Sequence, residues 1–431
     1  VGSEMCIRDS LTTVVFYKRV DECETSTTQC SWLVMEVASW YLRQGTSPIV
    51  TTLDCTKAFD KCEFSKLFTK LFNRNVPAIV IRVLIFVYEE QVAWVRWGST
   101  KSATFTISNG TRQGSILSPA LFGCYLDDLL AELRHLGVGC FIGGPAGVWC
   151  GAAAFADDLM LMSPSRGAME AMLKVCEDYG VKHNLVFSTD PDPKKSKSKC
   201  LYMCGQSGEV NYPANLQLYG KNLPFVEHGT HLGHEMSQTC NMEYNVKCMR
   251  GRFIQESMEI QDVFKFAHPS QILRATDVYC GHFYGLLLAN LFGEYANKYY
   301  NSYTTAIKLA WRVPRGCRTY FVHNLLAADI IPVKFRIIAR YVKFFQQLRL
   351  SNSKEICVAA NVAGRDAQSV TGYNLAMIKR ELDLTPWDVA PSTIIDAFSP
   401  VQPPDEDKWR IPYLEKLLVE RNQIELSLIH I

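Results

Sequence analysis

Three aspartates stand where rigid elements could aim them at one reaction. Asp54 closes SPIVTTLD (47–54), a short β-branched run, and Asp157-Asp158 lie between the two apolar arms of GAAAFADDLMLM (151–162). Phosphoryl transfer on two Mg²⁺ ions needs carboxylates on rigid elements, because the ions must stand about 4 Å apart to clamp the attacking and leaving oxygens. Strand-end and hairpin-tip aspartates meet that need. Either feature alone is ordinary, since such residues commonly make turns or solvate loops. A second pair, Asp127-Asp128, follows Tyr125-Leu126. There Leu121, Phe122, Tyr125, Leu129, Leu130 and Leu133 draw an apolar helix face, so these carboxylates are expected to be helix-surface charges.

The elements that would position the aspartates follow from periodicity and punctuation. A helix is expected over 29–41, a buried strand over 47–54, and helices over 61–75 and 78–90. VAWVRW (92–97) and ATFTIS (103–108) read as a hairpin around GSTKS. Ser118-Pro119 offers an N-cap and a first-turn proline for a helix running to Gly137. After the 151–162 hairpin a helix over 166–179 should stop at Gly180, and DPDPKKSKSK (190–199) reads as a Pro-rich basic loop.

Composition narrows the classes. The 431 residues are 48% hydrophobic and 20% charged with a net charge of +2, which fits two or three globular domains and excludes a disordered, histone-like or acidic-tail chain. Its most apolar runs, 78–88 and 285–292, fall short of the roughly 20 residues that cross a bilayer, so no membrane is expected. Sixteen scattered cysteines without a C-x-x-C pair read as reduced thiols in a reducing compartment. Residues 241–350 are mainly helical and carry 15 Lys plus Arg against 7 Asp plus Glu, whereas 351–425 carry 8 against 12, which puts a domain boundary near 350. The ends, 1–10 and 426–431, resemble translated library-adapter sequence and are set aside.

LDCTKAFD (53–60), NGTRQGSILSPALF (109–122) and FADD (155–158), in that order, resemble motifs A, B and C of reverse transcriptases, most closely those of non-long-terminal-repeat (LINE-type) retrotransposons. LVFSTDPDPKKSKSKC (185–200) is similar to motif D, and LPFVEHGTHLG (223–233) to the primer-grip motif E. The resemblance implies catalytic, metal-binding roles for Asp54, Asp157 and Asp158, with two Mg²⁺ ions, or Mn²⁺, as cofactor. Lys197 would protonate the pyrophosphate leaving group, with Lys195 and Lys199 as competitors. Phe59 would be the gate under the sugar. Arg112, Gln113 and Gly114 would contact nucleotide and template, and His231, Leu232 and Gly233 would sit at the primer grip. The basic 241–350 stretch would lie along a primer-template duplex.

The implied fold is α+β, a right hand. Partial fingers and a palm of antiparallel sheet backed by helices span 11–240, a helical thumb 241–350, and an extension of unassigned role 351–425. The implied partners are an RNA template, a DNA primer or target, and dNTPs, inside the cell in nucleus or cytoplasm. Residues 11–53 are too few to supply the family's upstream fingers strands, and Lys18, Arg19 and Arg43 are weak substitutes for their basic residues. A fragment truncated in this way is expected to be short of activity. The alternatives are a degenerate nucleic-acid-binding remnant and another palm-fold nucleotidyltransferase.

Overall fold

The computed structural model describes residues 27–382, apart from 113–114, 145–146, 191, 193–194, 206–209, 282, 315 and 317–331, together with the backbone of Val15–Phe16. Gln113, Gly114, Lys18, Arg19, both terminal stretches and residues 383–425 lie outside the described residues. The chain divides into two compact units, Val1–Met242 with Gln347–Ser369, and Glu243–Gln346 with Val370–Ile431.

The first unit opens with β1 (Val15–Phe16), α1 (Thr27–Arg43) and β2 (Ile49–Asp54). A 3₁₀ turn (Phe59–Lys61), α2 (Phe64–Asn73) and α3 (Ala78–Glu89) follow. Four short strands come next, β3 (Val92–Ala93), β4 (Arg96–Trp97), β5 (Thr100–Lys101) and β6 (Phe105–Thr106), leading to α4 (Ser118–His135). Then come β7 (Phe141–Ile142), β8 (Val148–Trp149), β9 (Ala152–Phe155), β10 (Asp158–Ser163) and α5 (Arg166–His183). The strands end with β11 (Lys199–Tyr202), β12 (Gln217–Leu218), β13 (Lys221–Asn222), β14 (His228–His231) and β15 (His234–Ser237). The second unit holds α6 (Glu243–Val263), α7 (Pro269–Cys280), α8 (Glu294–Ala310) and most of α9 (Val333–Arg349). Helix α10 (Lys354–Arg365) belongs to the first unit, and α11 (Val370–Leu382) to the second.

The architecture is α+β. Its sheet runs in the order β1-β9-β10-β2-β11, with β1 parallel to β9 and every other pair antiparallel. Leu53, Leu159 and Leu161 share a core with Leu121, Phe122, Tyr125 and Leu129 of α4 and with Met169, Met172 and Leu173 of α5. Met160 and Met162, which alternate with those leucines, are fully buried outside that core. Both faces of β10 are therefore covered, which is why its sequence is an unbroken apolar run rather than an alternating one. Helix α1, buried throughout residues 28–38, packs against β9.

Several elements depart from their sequence signals. The 92–108 hairpin is a ladder in two pieces, β3 with β6 and β4 with β5. Leu117, not Ser118, is the N-cap of α4, and the Ser118 hydroxyl instead donates to the Arg112 carbonyl at 2.5 Å. Helix α5 runs past Gly180 to His183 and is capped by Asn184, which takes the left-handed conformation at φ 55°. Gly180 is there for space: a Cβ would lie 2.6 Å from both the Leu185 carbonyl oxygen and the Tyr219 hydroxyl. The segment after residue 350 does not start a separate body. Helix α10 packs on α1, β7 and β8, with Glu355 paired to Arg134 at 2.5 Å and Asp366 to Arg43 at 3.0 Å.

In the helical unit α6 packs on α7 and α8. Phe253 stacks on Tyr303 at 4.6 Å, and Asn374 of α11 closes on the backbone of Ala289 and Leu291 at 2.9 and 3.0 Å. Some of its basic excess is used internally, in Arg336–Asp277 (2.5 Å) and Lys334–Glu381 (2.9 Å). Among the described residues no helix is long and apolar enough to cross a membrane.

An alanine at a free helix position gains about 1 kcal/mol over glycine, but forcing a methyl into a filled space costs 1–3 kcal/mol. Gly180→Ala should therefore lower stability by about 1–2 kcal/mol, read as a lower urea midpoint. A stabilised variant would mean that the Leu185 and Tyr219 contacts yield freely.

Candidate active site

The three aspartates meet because of strand register. β2 and β10 pair so that the Cα atoms of Asp54 and Asp158 are direct partners. β10 turns back to β9 through Ala156 and Asp157, with Phe155 opposite Asp158 and Ala156 at φ 52°. Asp157 thus occupies the turn beside the two facing aspartates. Asp158 is exposed, yet its pKa is raised to about 6, first by desolvation and then by Asp157 and Asp54, against the lowering influence of Lys197. Such mutual opposition marks a cluster of like charges.

Lys197 reaches the cluster by the same logic. β11 pairs with β2 with Lys199 opposite Thr52 and Cys200 opposite Thr51, and extending that register by two residues places Lys197 across from Asp54. Its Nζ lies 3.6 Å from Asp54 Oδ2. Lys195 instead approaches Asp192 at 4.0 Å, and Lys199 is held in the strand. Ser198 accepts the Asp54 backbone N–H at 3.1 Å, and the Asp54 carbonyl receives the Ser188 N–H at 2.8 Å, fixing the end of β2.

Hard carboxylate oxygens are the donors that Mg²⁺ prefers, and the like-charge cluster is one a cation would relieve, so the donor set fits a divalent ion in chemistry. The described residues hold no three-membered His, Cys, Asp or Glu group already arranged around a metal position. Against Asp54, the Lys197 ammonium supplies the positive charge in this structure.

Phe59 starts the 3₁₀ turn, half-buried, with its ring 4.8 Å from that of Phe122. The loop leading to Arg112 lies on this turn: Gly110 N–H donates to the Cys62 carbonyl and Thr111 N–H to that of Phe59, each at 2.8 Å. Gly110 has φ +97°, and a Cβ there would be 3.0 Å from the Asp60 Cα, so only glycine permits the approach. Arg112 is exposed at the end of this loop.

The third expected group is split. His231 ends β14 with His234 as its Cα partner, while Leu232 (φ 49°) and Gly233 (φ 81°) form the turn. The His231 ring is only 4% exposed, its Nδ1 is 3.0 Å from Ser31 Oγ of α1, and burial, with His234, pulls its pKa down to about 3. It is a neutral packing histidine, whereas Gly233 in the turn is exposed and Leu232 half-buried.

Asp127 and Asp128 lie within α4, as expected, but only Asp128 keeps part of its side chain at the surface, and both are ion-paired. Asp127 is 4% exposed and bonds Arg74 at 3.1 Å, while Asp128 takes both Arg74 (2.6 Å) and Lys70. Burial would raise the Asp128 pKa, but Lys70 and Arg74 hold it below the usual carboxylate range. This pair serves to anchor α2 on α4.

Two contributors went unnoticed in the sequence. Gly110 was signalled by its Asn-Gly dipeptide. Ser198 had a subtler sign: Lys195 and Lys197 are exposed while Ser196 and Ser198 are buried, an alternation of period two leading into β11. The expected loop holds up to Ser198 as turn and bend, and the strand begins only at Lys199.

A strand-end aspartate faces a hairpin Asp-Asp pair on an antiparallel sheet. Residues 18–212 match the family described as reverse transcriptase (RNA-dependent DNA polymerase), and the curated proteins to which the chain is similar are of the non-long-terminal-repeat retrotransposon kind. Among curated proteins it is similar to the retrovirus-related Pol polyprotein from type-1 retrotransposable element R2 of Nasonia vitripennis, 31% identical over 128 residues, 30% of this chain and 12% of the relative. It is also similar to that from type-2 retrotransposable element R2DM of Drosophila melanogaster, 29% identical over 130 residues, again 30% and 12%. The matched stretch is thus a small part of those polyproteins. Among solved structures, apo telomerase from Candida tropicalis aligns at 9% identity and a TM-score of 0.42, covering 92% of this chain and 60% of that one.

The like-charge cluster has a pH signature. An acid whose folded pKa is raised from 3.8 to about 6 favours folding most where it is protonated in both states and loses that contribution as pH rises through 6. Asp158→Asn should therefore stabilise the metal-free protein near neutral pH by on the order of 1 kcal/mol, after allowance for solvent screening, and the gain should vanish near pH 4. Urea unfolding at both pH values checks this. A gain independent of pH would dissolve the cluster.

Proposed function

We propose that the chain's site performs RNA-directed DNA synthesis, adding a deoxynucleotide from a dNTP to a primer 3′-hydroxyl. The observation that carries this reading is the register that sets Asp54 opposite Asp158 with Asp157 in the adjoining turn. Asp54 and Asp157 would hold two Mg²⁺ ions, with Asp158 supporting them less directly. When bound, the ions supply Lewis-acid stabilisation of the attacking and leaving oxygens.

The remaining roles belong to the chain's own groups. The Lys197 ammonium is the proton source for the pyrophosphate oxygen as charge develops there. The Phe59 ring, braced by Phe122, lies under the sugar and leaves no room for a 2′-hydroxyl. Arg112, beside Gln113 and Gly114, meets the incoming nucleotide and the template. The Leu232–Gly233 turn meets the primer strand, and His231 beneath it holds the hairpin to α1.

Asp157→Asn should reduce Mg²⁺-dependent extension of a DNA primer on an RNA template by on the order of 100-fold, the scale of losing one preorganised electrostatic group. It should also weaken Mn²⁺ binding followed by titration, which does not depend on turnover. Asp127→Asn should leave both readouts at the parent level. The opposite ranking would move the site to the other pair.

Phe59→Ala separates a gate from packing. It should raise ribonucleotide over deoxyribonucleotide insertion by roughly tenfold or more, while costing about 2–3 kcal/mol of stability, less than a fully buried ring. The readout is single-nucleotide insertion with both sugars. An unchanged ratio in a folded variant would leave Phe59 as a packing residue.

A further inference from the structure

The β4–β5 tip is aromatic, basic and unused by the fold. Arg96 faces Lys101 and Trp97 faces Thr100 across the ladder, with Gly98 at φ 58° in the turn. Trp97 is 86% exposed and Trp94 50%. Among the described residues the Trp97 indole meets no ring and no hydrogen-bond acceptor. The Lys101 ammonium lies over the Trp94 ring at 5.3 Å, and Arg96 Nε donates to the Gly98 carbonyl at 3.1 Å. Residues 91–112 contain Arg96, Lys101 and Arg112 and no acidic residue.

Chain connectivity ties this tip to the site. At its base β3 pairs with β6, and the Ile107 N–H donates to the Gln91 carbonyl at 3.0 Å. The strand then enters the Gly110–Thr111 loop, bonded to Cys62 and Phe59. The tip therefore rises from the strand that feeds the proposed nucleotide-contacting loop.

We propose that Trp97 is a stacking platform for an unpaired base of the template strand, with Arg96 and Lys101 on the flanking phosphates. An exposed indole on one face of the narrow ladder and a cross-strand pair of cations on the other bring to a single tip both parts of single-strand recognition, a flat face that accepts any base and positive charge for the backbone. The absence of acidic residues from 91–112 favours a phosphate-bearing partner over a protein. The inference rests on the polymerase reading above and adds to it a residue that handles template not yet paired.

The test compares binding of the chain to a labelled RNA–DNA duplex with a short unpaired template extension, to the same duplex with abasic sites in the extension, and to a blunt duplex. Trp97→Ala should weaken binding to the extended duplex by about tenfold and leave the blunt duplex unaffected. Trp97→Phe should retain most of the affinity, and the abasic extension should bring the parent down to the Trp97→Ala level. Equal losses on extended and blunt duplexes, or no loss on either, would overturn the platform while leaving the polymerase reading in place. Loss of self-association in Trp97→Ala with nucleic-acid binding unchanged would overturn it in favour of a protein contact. A parent chain that binds neither duplex would overturn the polymerase reading and this inference together.

Discussion

Everything at the site depends on the pairing of β2 with β10. Side chains alternate along a strand, so a slip of one residue would turn Asp54 away from Asp158 and present the wrong face of β2 to the helices. What prevents the slip is burial on both faces: Leu53, Leu159 and Leu161 pack toward α4 and α5, while Val50, Met160 and Met162 are buried outside that core. The aspartates occur where this apolar run ends. The core that holds the sheet and the geometry that gathers the carboxylates are therefore one constraint, and the register of β11 on β2 extends it to Lys197.

The second Asp-Asp pair shows how context divides identical residues. Asp127 and Asp128 stand on a helix whose neighbour offers Lys70 and Arg74, and each carboxylate finds a cation. Lys70 is held further by the Tyr179 hydroxyl at 3.1 Å and lies over the Tyr125 and Tyr179 rings. Its pKa is lowered, first by burial. Lys70 and Asp127 are buried and Arg74 largely so, and removing a partner from one of them leaves a charge uncompensated, which is the costly way to break an ion pair. At the sheet tip the balance is the reverse: Lys197 pairs with Asp54, while Asp158 is opposed by both Asp157 and Asp54.

The α+β class, the order of elements and the approach of the three aspartates were legible because each rests on local pattern and short-range punctuation. The limits of legibility are physical too. Gly180 reads as a helix stop on local grounds, yet its function is the space left for Leu185 and Tyr219, the latter nearly forty residues later. Ser196 and Ser198 alternate with lysines in the loop before β11, but serine carries no apolar signal, so their burial was hidden. His231 owes its burial to Ser31, 200 positions earlier in the chain, and Glu355 its place to Arg134, so neither packing could be seen from neighbours in sequence. The charge reversal near 350 is real, but composition cannot tell that the next helix returns to the sheet-bearing unit.

The buried thiols give the molecule a chemical property of its own. Cys55 follows Asp54, Cys200 lies in β11 beside Ser198, and Cys62 closes the 3₁₀ turn; burial pushes all three up to about 12. Alkylating reagents attack the thiolate, so these sulfurs are protected twice, by exclusion of the reagent and by suppression of the reactive form. Modification at any of them must proceed through an opening of its own strand or turn. The cysteines thus act as a set of chemical clocks distributed through the palm, each timing the local unfolding of the element beside a site residue.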